Sequence, residues 1–212
     1  MTLFNVYIQK VIILTIAFMC FSNCSANHIP RRVSLGPQVF YSETSTCEYL
    51  KELDTYIVSV PGRPGVIVSS TDCDLVPGEE IRLVIDMFYL GFIKEFGDPD
   101  GKVKSGFFNM VVKLDQNARK VKNLYDTSGK HFDESFVNGL FFSPNVIWIH
   151  VVPGSSIADT ALVHELMHYA LLLSTGDPDP DHEGEKYGHW SKRHTKFIGN
   201  ISYEVRDMLS PQ

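Results

Sequence analysis

His164, Glu165 and His168 open the stretch VHELMHYALLLSTGDPDPDHEG, residues 163–184. Two histidines four residues apart share one face of an α-helix, so both imidazoles reach the same point. Neutral imidazoles at that spacing bind a single zinc ion. Glu165 lies one step round the helix, where its carboxylate reaches a water at the metal without taking a ligand position. The metal acidifies the water, and the carboxylate accepts the proton and returns it to a leaving amine. The residue types and their spacing therefore suit zinc-dependent hydrolysis.

The helix carrying these groups is expected over residues 157–174. Ser156, followed by Asp159, resembles a capping box, and Gly176 and Pro178 supply the stop. Ala161, Leu162, Leu166, Met167, Ala170, Leu171 and Leu173 make it apolar nearly all round. Burying two histidines and a glutamate in such a helix is costly unless they find partners, and a metal ion is one. Residues 146–152 (VIWIHVV) form an apolar strand ahead of it, broken by Pro153 and Gly154.

Residues 77–96 give a scaffold helix. Ile81, Val84, Ile85, Phe88, Phe92, Ile93 and Phe96 recur at three- and four-residue steps, with Gly97 as the stop. Strands are expected at 65–69 and 107–114, with 121–125 pairing beside the latter. Turns fall at 97–101 and 126–129, a short helix at 46–56 and a last helix at 191–209. Segregated helices with a small mixed sheet define an α+β fold.

The motif HELMH, residues 164–168, resembles that of the zincin metallopeptidases, and the longer pattern HELMHYAL…TGDPDPDH is similar to that of exported bacterial zincin-like proteins. The resemblance covers residues 146–189. It implies a zincin-like fold, with His164 and His168 as zinc ligands and Glu165 as the general base. It also implies that VIWIHVV is the strand bordering the substrate cleft.

A catalytic zinc takes three protein ligands and keeps one position open. The metzincin continuation would need a glycine and a histidine where this chain has Leu171 and Ser174. The third ligand is expected to be His182, which a proline-stiffened turn brings back over the helix. His189, Asp177, Asp179, Asp181, Glu183 and Glu185 are the alternatives. Asp179 or Asp181 is expected to hydrogen-bond a ligand histidine. A calcium loop is a poor reading of these aspartates, because His182 and Gly188 stand where its glycine and glutamate belong. Tyr187 is the candidate helper for an oxyanion, with His189 and His194 as further candidates.

Around this core, residues 11–21 (VIILTIAFMCF) form a short apolar run after Lys10, followed by small polar residues. This reads as an export signal ending near Ala26. The expected organisation is a signal peptide at 1–26, a loose leader at 27–45 and one metal-binding zincin-like domain at 46–212. Cys20 or Cys24 is a candidate for lipid modification, which would attach the chain to a membrane. Cys47 and Cys73 are expected to form a disulfide in an oxidising compartment.

The net charge of -6 and the lack of a basic run argue against a nucleic-acid partner. The expected function is an exported zinc hydrolase, with one zinc per chain and a peptide or protein substrate. A non-catalytic, zinc-stabilised envelope or binding protein is the alternative. A wall-degrading enzyme is a third reading, though no paired carboxylates point to sugar chemistry.

Overall fold

The apolar residues of alternate strand positions are the foundation of the fold. In the computed structural model, which describes residues 47–51, 54–71, 78–125 (without the side chains of 123–125), 130–179, 182 and 190–209, they line one face of a six-stranded sheet. Its strands are β1 (Cys47–Leu50), β2 (Thr55–Val60), β3 (Arg63–Ser70), β4 (Met110–Asp115), β7 (Gly139–Phe142) and β8 (Val146–His150). Their order is β1-β2-β3-β4-β8-β7. The β3–β4 and β4–β8 pairs are parallel, whereas β1–β2, β2–β3 and β7–β8 are antiparallel. The fold is accordingly α+β with a mixed sheet.

Paired residues in neighbouring strands share a face. Val68, Val112 and Ile147 form one buried row across β3, β4 and β8. The next row runs from Ser70 through Leu114 and Ile149 to Gly139 on β7. Trp148 points to the opposite face. There its indole N–H donates to Asp115 Oδ2 at 3.2 Å, and the Arg119 guanidinium lies 4.8 Å from the ring.

Four helices belong to the described residues: α1 (Gly78–Phe96), α2 (Lys102–Gly106), α3 (Leu162–Thr175) and α4 (Lys192–Leu209). The apolar face expected for α1 is the one it buries, through Ile81, Val84, Ile85, Phe88 and Phe92. Phe197, Ile201 and Val205, each four residues from the next, form the buried stripe of α4. The two helices interlock through aromatic rings, with Phe88 edge-on to Phe197 at 5.4 Å and stacked on Phe107 at 5.6 Å. Helix α3 is the hub, packing against β7, β8, α1, α2 and α4. No helix among the described residues is long and apolar enough to cross a membrane.

Several elements differ from the sequence expectation. Where a helix over 46–56 was expected, β1 and β2 pair as antiparallel strands. The β-branched run of β2 favours a strand. Tyr49 pairs directly with Tyr56, with their rings 5.0 Å apart, and Tyr49 Oη donates to Asp54 Oδ1 at 2.6 Å. The strand β5 (Arg119–Tyr125) does not pair with β4. It joins β6 (His131–Val137) in a separate two-stranded sheet, leaving β4 to its apolar parallel neighbours β3 and β8. Strand β8, the core of the VIWIHVV segment, is interior to the sheet, and the shorter β7 lies at its edge.

Helix α3 also starts later than expected. Ser156 Oγ accepts the N–H of Ala158 at 3.2 Å and caps a short 3-10 turn, Ile157–Asp159. Thr160 Oγ1 then accepts the N–H of Leu162 at 3.3 Å, where the α-helix begins. Gly176, with φ of 87°, ends it in the left-handed conformation that glycine adopts without steric cost.

Cys47 is disulfide-bonded. Cys73, its expected partner, lies outside the described residues, as do the expected signal, leader segment and 126–129 turn.

Candidate metal centre

The helical spacing of four residues sets His164 and His168 with their Nε2 atoms 3.2 Å apart. His182 arrives from beyond the helix and places its Nε2 3.2 Å from that of His164. Among the described residues, these three histidines form a group able to hold a metal ion, with ligand atoms all within 4.8 Å of one another.

The donor chemistry fits such an ion. Tetrahedral zinc with bonds of about 2.0–2.1 Å sets its ligand nitrogens about 3.3 Å apart. His168 Nδ1 donates to the Pro178 carbonyl at 2.6 Å, which leaves its Nε2 lone pair facing the cluster. His164 Nε2 faces two imidazole nitrogens and carries at most one proton to share between them. A shared cation satisfies all three.

Burial holds the two helix-borne imidazoles neutral. Desolvation, with the neighbouring histidines, keeps the His164 pKa well below its usual value. Desolvation lowers that of His168 to about 4, against the opposing effect of the Pro178 carbonyl. Neutral imidazole is the metal-binding form. The His164 side chain keeps 26% of its exposure and gives the cluster its opening to solvent.

Glu165 stands beside the cluster, its Oε1 4.0 Å from His164 Nε2. The residue is 4% exposed, and burial pushes its carboxyl up to about 8. Its neighbour across the helix–sheet interface is Gly139, the last residue of the Ser70–Leu114–Ile149 row. A Cβ there would lie 2.6 Å from Glu165 Oε1 and 2.7 Å from Ala161 Cβ. Only a residue without a side chain lets β7 approach this closely.

The site is braced from two further sides. Tyr169 Oη donates to the carbonyls of Gly106 and Asn109 at 2.9 and 3.1 Å, fixing α3 against the α2 segment. The Trp190 indole lies 5.1, 4.9 and 4.7 Å from the ring centroids of His164, His168 and His182. Its Nε1 donates to Thr195 Oγ1 of α4 at 3.1 Å.

Of the acids considered as third ligands, Asp177 and Asp179 take other bonds. Asp177 Oδ1 accepts the Asp179 N–H at 2.8 Å, and Asp179 Oδ2 accepts the Trp190 N–H at 2.7 Å. The acceptor at His168 Nδ1 is thus a backbone carbonyl rather than an aspartate. His194, considered as an oxyanion helper, stacks on Phe96 at 4.5 Å, and its Nδ1 accepts the Ser191 N–H at 2.9 Å. Asp181, Glu183, Glu185, Tyr187 and His189 lie outside the described residues.

Trp190, Gly139 and the Pro178 carbonyl were missed by sequence reasoning. The nearest signal for the tryptophan is its place just after a histidine-rich segment. A carbonyl carries no residue-specific signal at all. Comparison with protein-family models, curated proteins and solved structures finds no match for this chain. The functional reading consequently rests on the residues and geometry of the site.

Proposed function

We propose that this protein is an exported zinc-dependent hydrolase of zincin-like build, acting as a metallopeptidase on a peptide or protein substrate. The observation carrying the proposal is the convergence of three imidazole nitrogens beside a buried carboxylate on the same helix. HELMH and the edge strand β7 packed beside its helix support the zincin-like reading.

When bound, zinc supplies Lewis acidity, which makes a water nucleophilic at neutral pH and polarises a substrate carbonyl. His164, His168 and His182 would hold it through Nε2. The Pro178 carbonyl keeps His168 in the tautomer that donates from Nδ1. Burial alone keeps the Glu165 carboxyl protonated at neutral pH. Beside the charge of a bound cation its ionised form is favoured, and Oε1 would then take the proton from the attacking water and return it to the leaving amine. Trp190 excludes water from the imidazole rings it covers. Tyr187 is the proposed donor to the developing oxyanion. Export through the N-terminal apolar run, with lipid attachment at Cys20 or Cys24, would place the enzyme in the cell envelope or outside it.

The test is bound metal by mass spectrometry together with cleavage of a peptide library. Chain purified from an oxidising compartment should carry about one zinc and cleave in a chelator-sensitive way. Glu165→Gln should keep the zinc and lose about 10²–10⁴-fold in rate. Full activity in Glu165→Gln would sink the general-base role. Folded wild type without zinc, even after zinc is supplied, would remove the reading altogether. Zinc-dependent stability with no turnover would favour the non-catalytic alternative.

A further inference from the structure

We infer that Asp179 and Trp190 form a clasp that positions His182 against the two helix-borne donors, an inference that rests on the zinc reading proposed above. His164 and His168 are held by α3 itself. His182 lies beyond the end of that helix and needs another means of orientation. The contacts of Asp179 provide it.

Asp179 is 6% exposed and has φ of 48°, a left-handed conformation uncommon for residues other than glycine. Its N–H donates to Asp177 Oδ1, its carbonyl accepts the His182 N–H at 3.1 Å, and its carboxylate accepts the Trp190 N–H at 2.7 Å. One buried residue therefore grips the backbone at the ligand and again at residue 190. His182 is itself left-handed, with φ of 55°. Two such residues in one short segment persist when the surrounding bonds over-determine them.

The second half of the clasp is the indole. Trp190 is 2% exposed, and its ring meets all three imidazoles at nearly equal distances, between 4.7 and 5.1 Å. Thr195 anchors its Nε1 to α4. With the backbone N–H held by Asp179 and the ring held by Thr195, Trp190 forms a fixed wall against which the imidazoles lie. The rings lose their freedom before any ion arrives, so ordering them costs less at the moment of binding. Asp179 and Trp190 are positioning residues in this scheme, and neither donates to the ion.

The experiment measures zinc affinity by competition with a chromophoric chelator, and coordination by the visible spectrum of the Co²⁺-substituted protein. It uses the full chain. Asp179→Ala should bind zinc about 10–100-fold more weakly, the usual cost of losing a group that orients metal ligands. Its Co²⁺ spectrum should shift towards that of His182→Ala. Asp179→Asn keeps an acceptor oxygen for the Trp190 N–H and should recover a large part of the affinity. Trp190→Leu retains the backbone N–H but not the indole wall, and should also weaken binding about tenfold. It supplies the answer if Asp179→Ala does not fold.

Val58→Ala, in the buried face of β2 away from α4 and the histidines, is the control for stability alone. It should lower the melting temperature and leave zinc affinity and spectrum unchanged. Wild-type affinity and spectrum in both Asp179→Ala and Trp190→Leu would overturn the clasp, as would losses no greater than that of Val58→Ala. Failure of the unmodified chain to bind zinc would overturn the metal reading itself, and the clasp with it. That failure is distinguishable because it is seen before any substitution is made.

Discussion

Burial gives Glu165 and His168 opposite dependences on pH in the metal-free protein. The Glu165 carboxyl titrates from the ordinary 4.5 in the unfolded chain and from about 8 in the folded one. Its contribution to stability is complete below 4.5 and is lost as pH rises towards 8. His168 titrates at 6.5 unfolded and about 4 folded, so stability falls as pH drops from 6.5 towards 4. Above pH 6.5 only the glutamate loss continues. Metal-free wild type should lose about 2 kcal/mol between pH 6.5 and 8 relative to Glu165→Gln, at 1.36 kcal/mol per unit. Urea midpoints of both proteins across that range test this, and parallel curves would contradict it.

Gly139→Ala belongs to the same scale. The added methyl would meet Glu165 and Ala161, so either the carboxylate or β7 must move. The proposed hydrolysis should fall at least about tenfold with zinc retained, and stability by about 1–3 kcal/mol. Unchanged turnover with an unmoved Glu165 would show that the contact is tolerated.

HELMH and His182 were legible because their chemistry is written in residue type and spacing. Gly139, the Pro178 carbonyl and Trp190 were not, since strand pairing and chain reversal bring them to the site.

At the scale of elements, legibility followed periodicity. Helices α1 and α4 carry long apolar stripes, and the structure follows the sequence expectation to within a residue or so at either end. The segments that became β1 and β2 are too short for period alone to separate helix from strand, and the Tyr49–Tyr56 pairing decides it. The strands β6 (HFDESFV) and β7 (GLFF) went unassigned, having weak alternation or only four residues. Capping also moved the start of α3, because Ser156 bonds Ala158 and closes a 3-10 turn first.

Two substitutions test these elements. Phe197→Ala removes a ring edge-on to Phe88 and Phe92 and should cost about 3–5 kcal/mol by denaturant melt. Gly176→Ala forces alanine to φ of 87° and should cost about 1–2 kcal/mol. An effect within error at Gly176 would mean that the end of α3 relaxes freely.

For the molecule as a whole, a ligand that binds only the folded state adds stability in proportion to the logarithm of its saturation. Zinc at about 1,000 times its dissociation constant should therefore add about 4 kcal/mol, and a chelator should remove it. A melting temperature unmoved by either would mean that the folded chain gains nothing from the ion. Reduction of the Cys47 disulfide should lower stability by about 2–4 kcal/mol, a separate loss measurable in chelated protein.

The Trp190–Thr195 bond ties the wall of the histidine cluster to the C-terminal helix. Release of a bound ion then becomes a question of timing. The cluster opens to solvent at His164, but its indole wall is released only when the bond to α4 breaks, an event less rare than complete unfolding. Loosening that wall should shorten both the half-life of the bound ion and the opening interval of α4 reported by amide hydrogen exchange, in Phe197→Ala against wild type. The far end of the chain would thus act as the clock of the metal site.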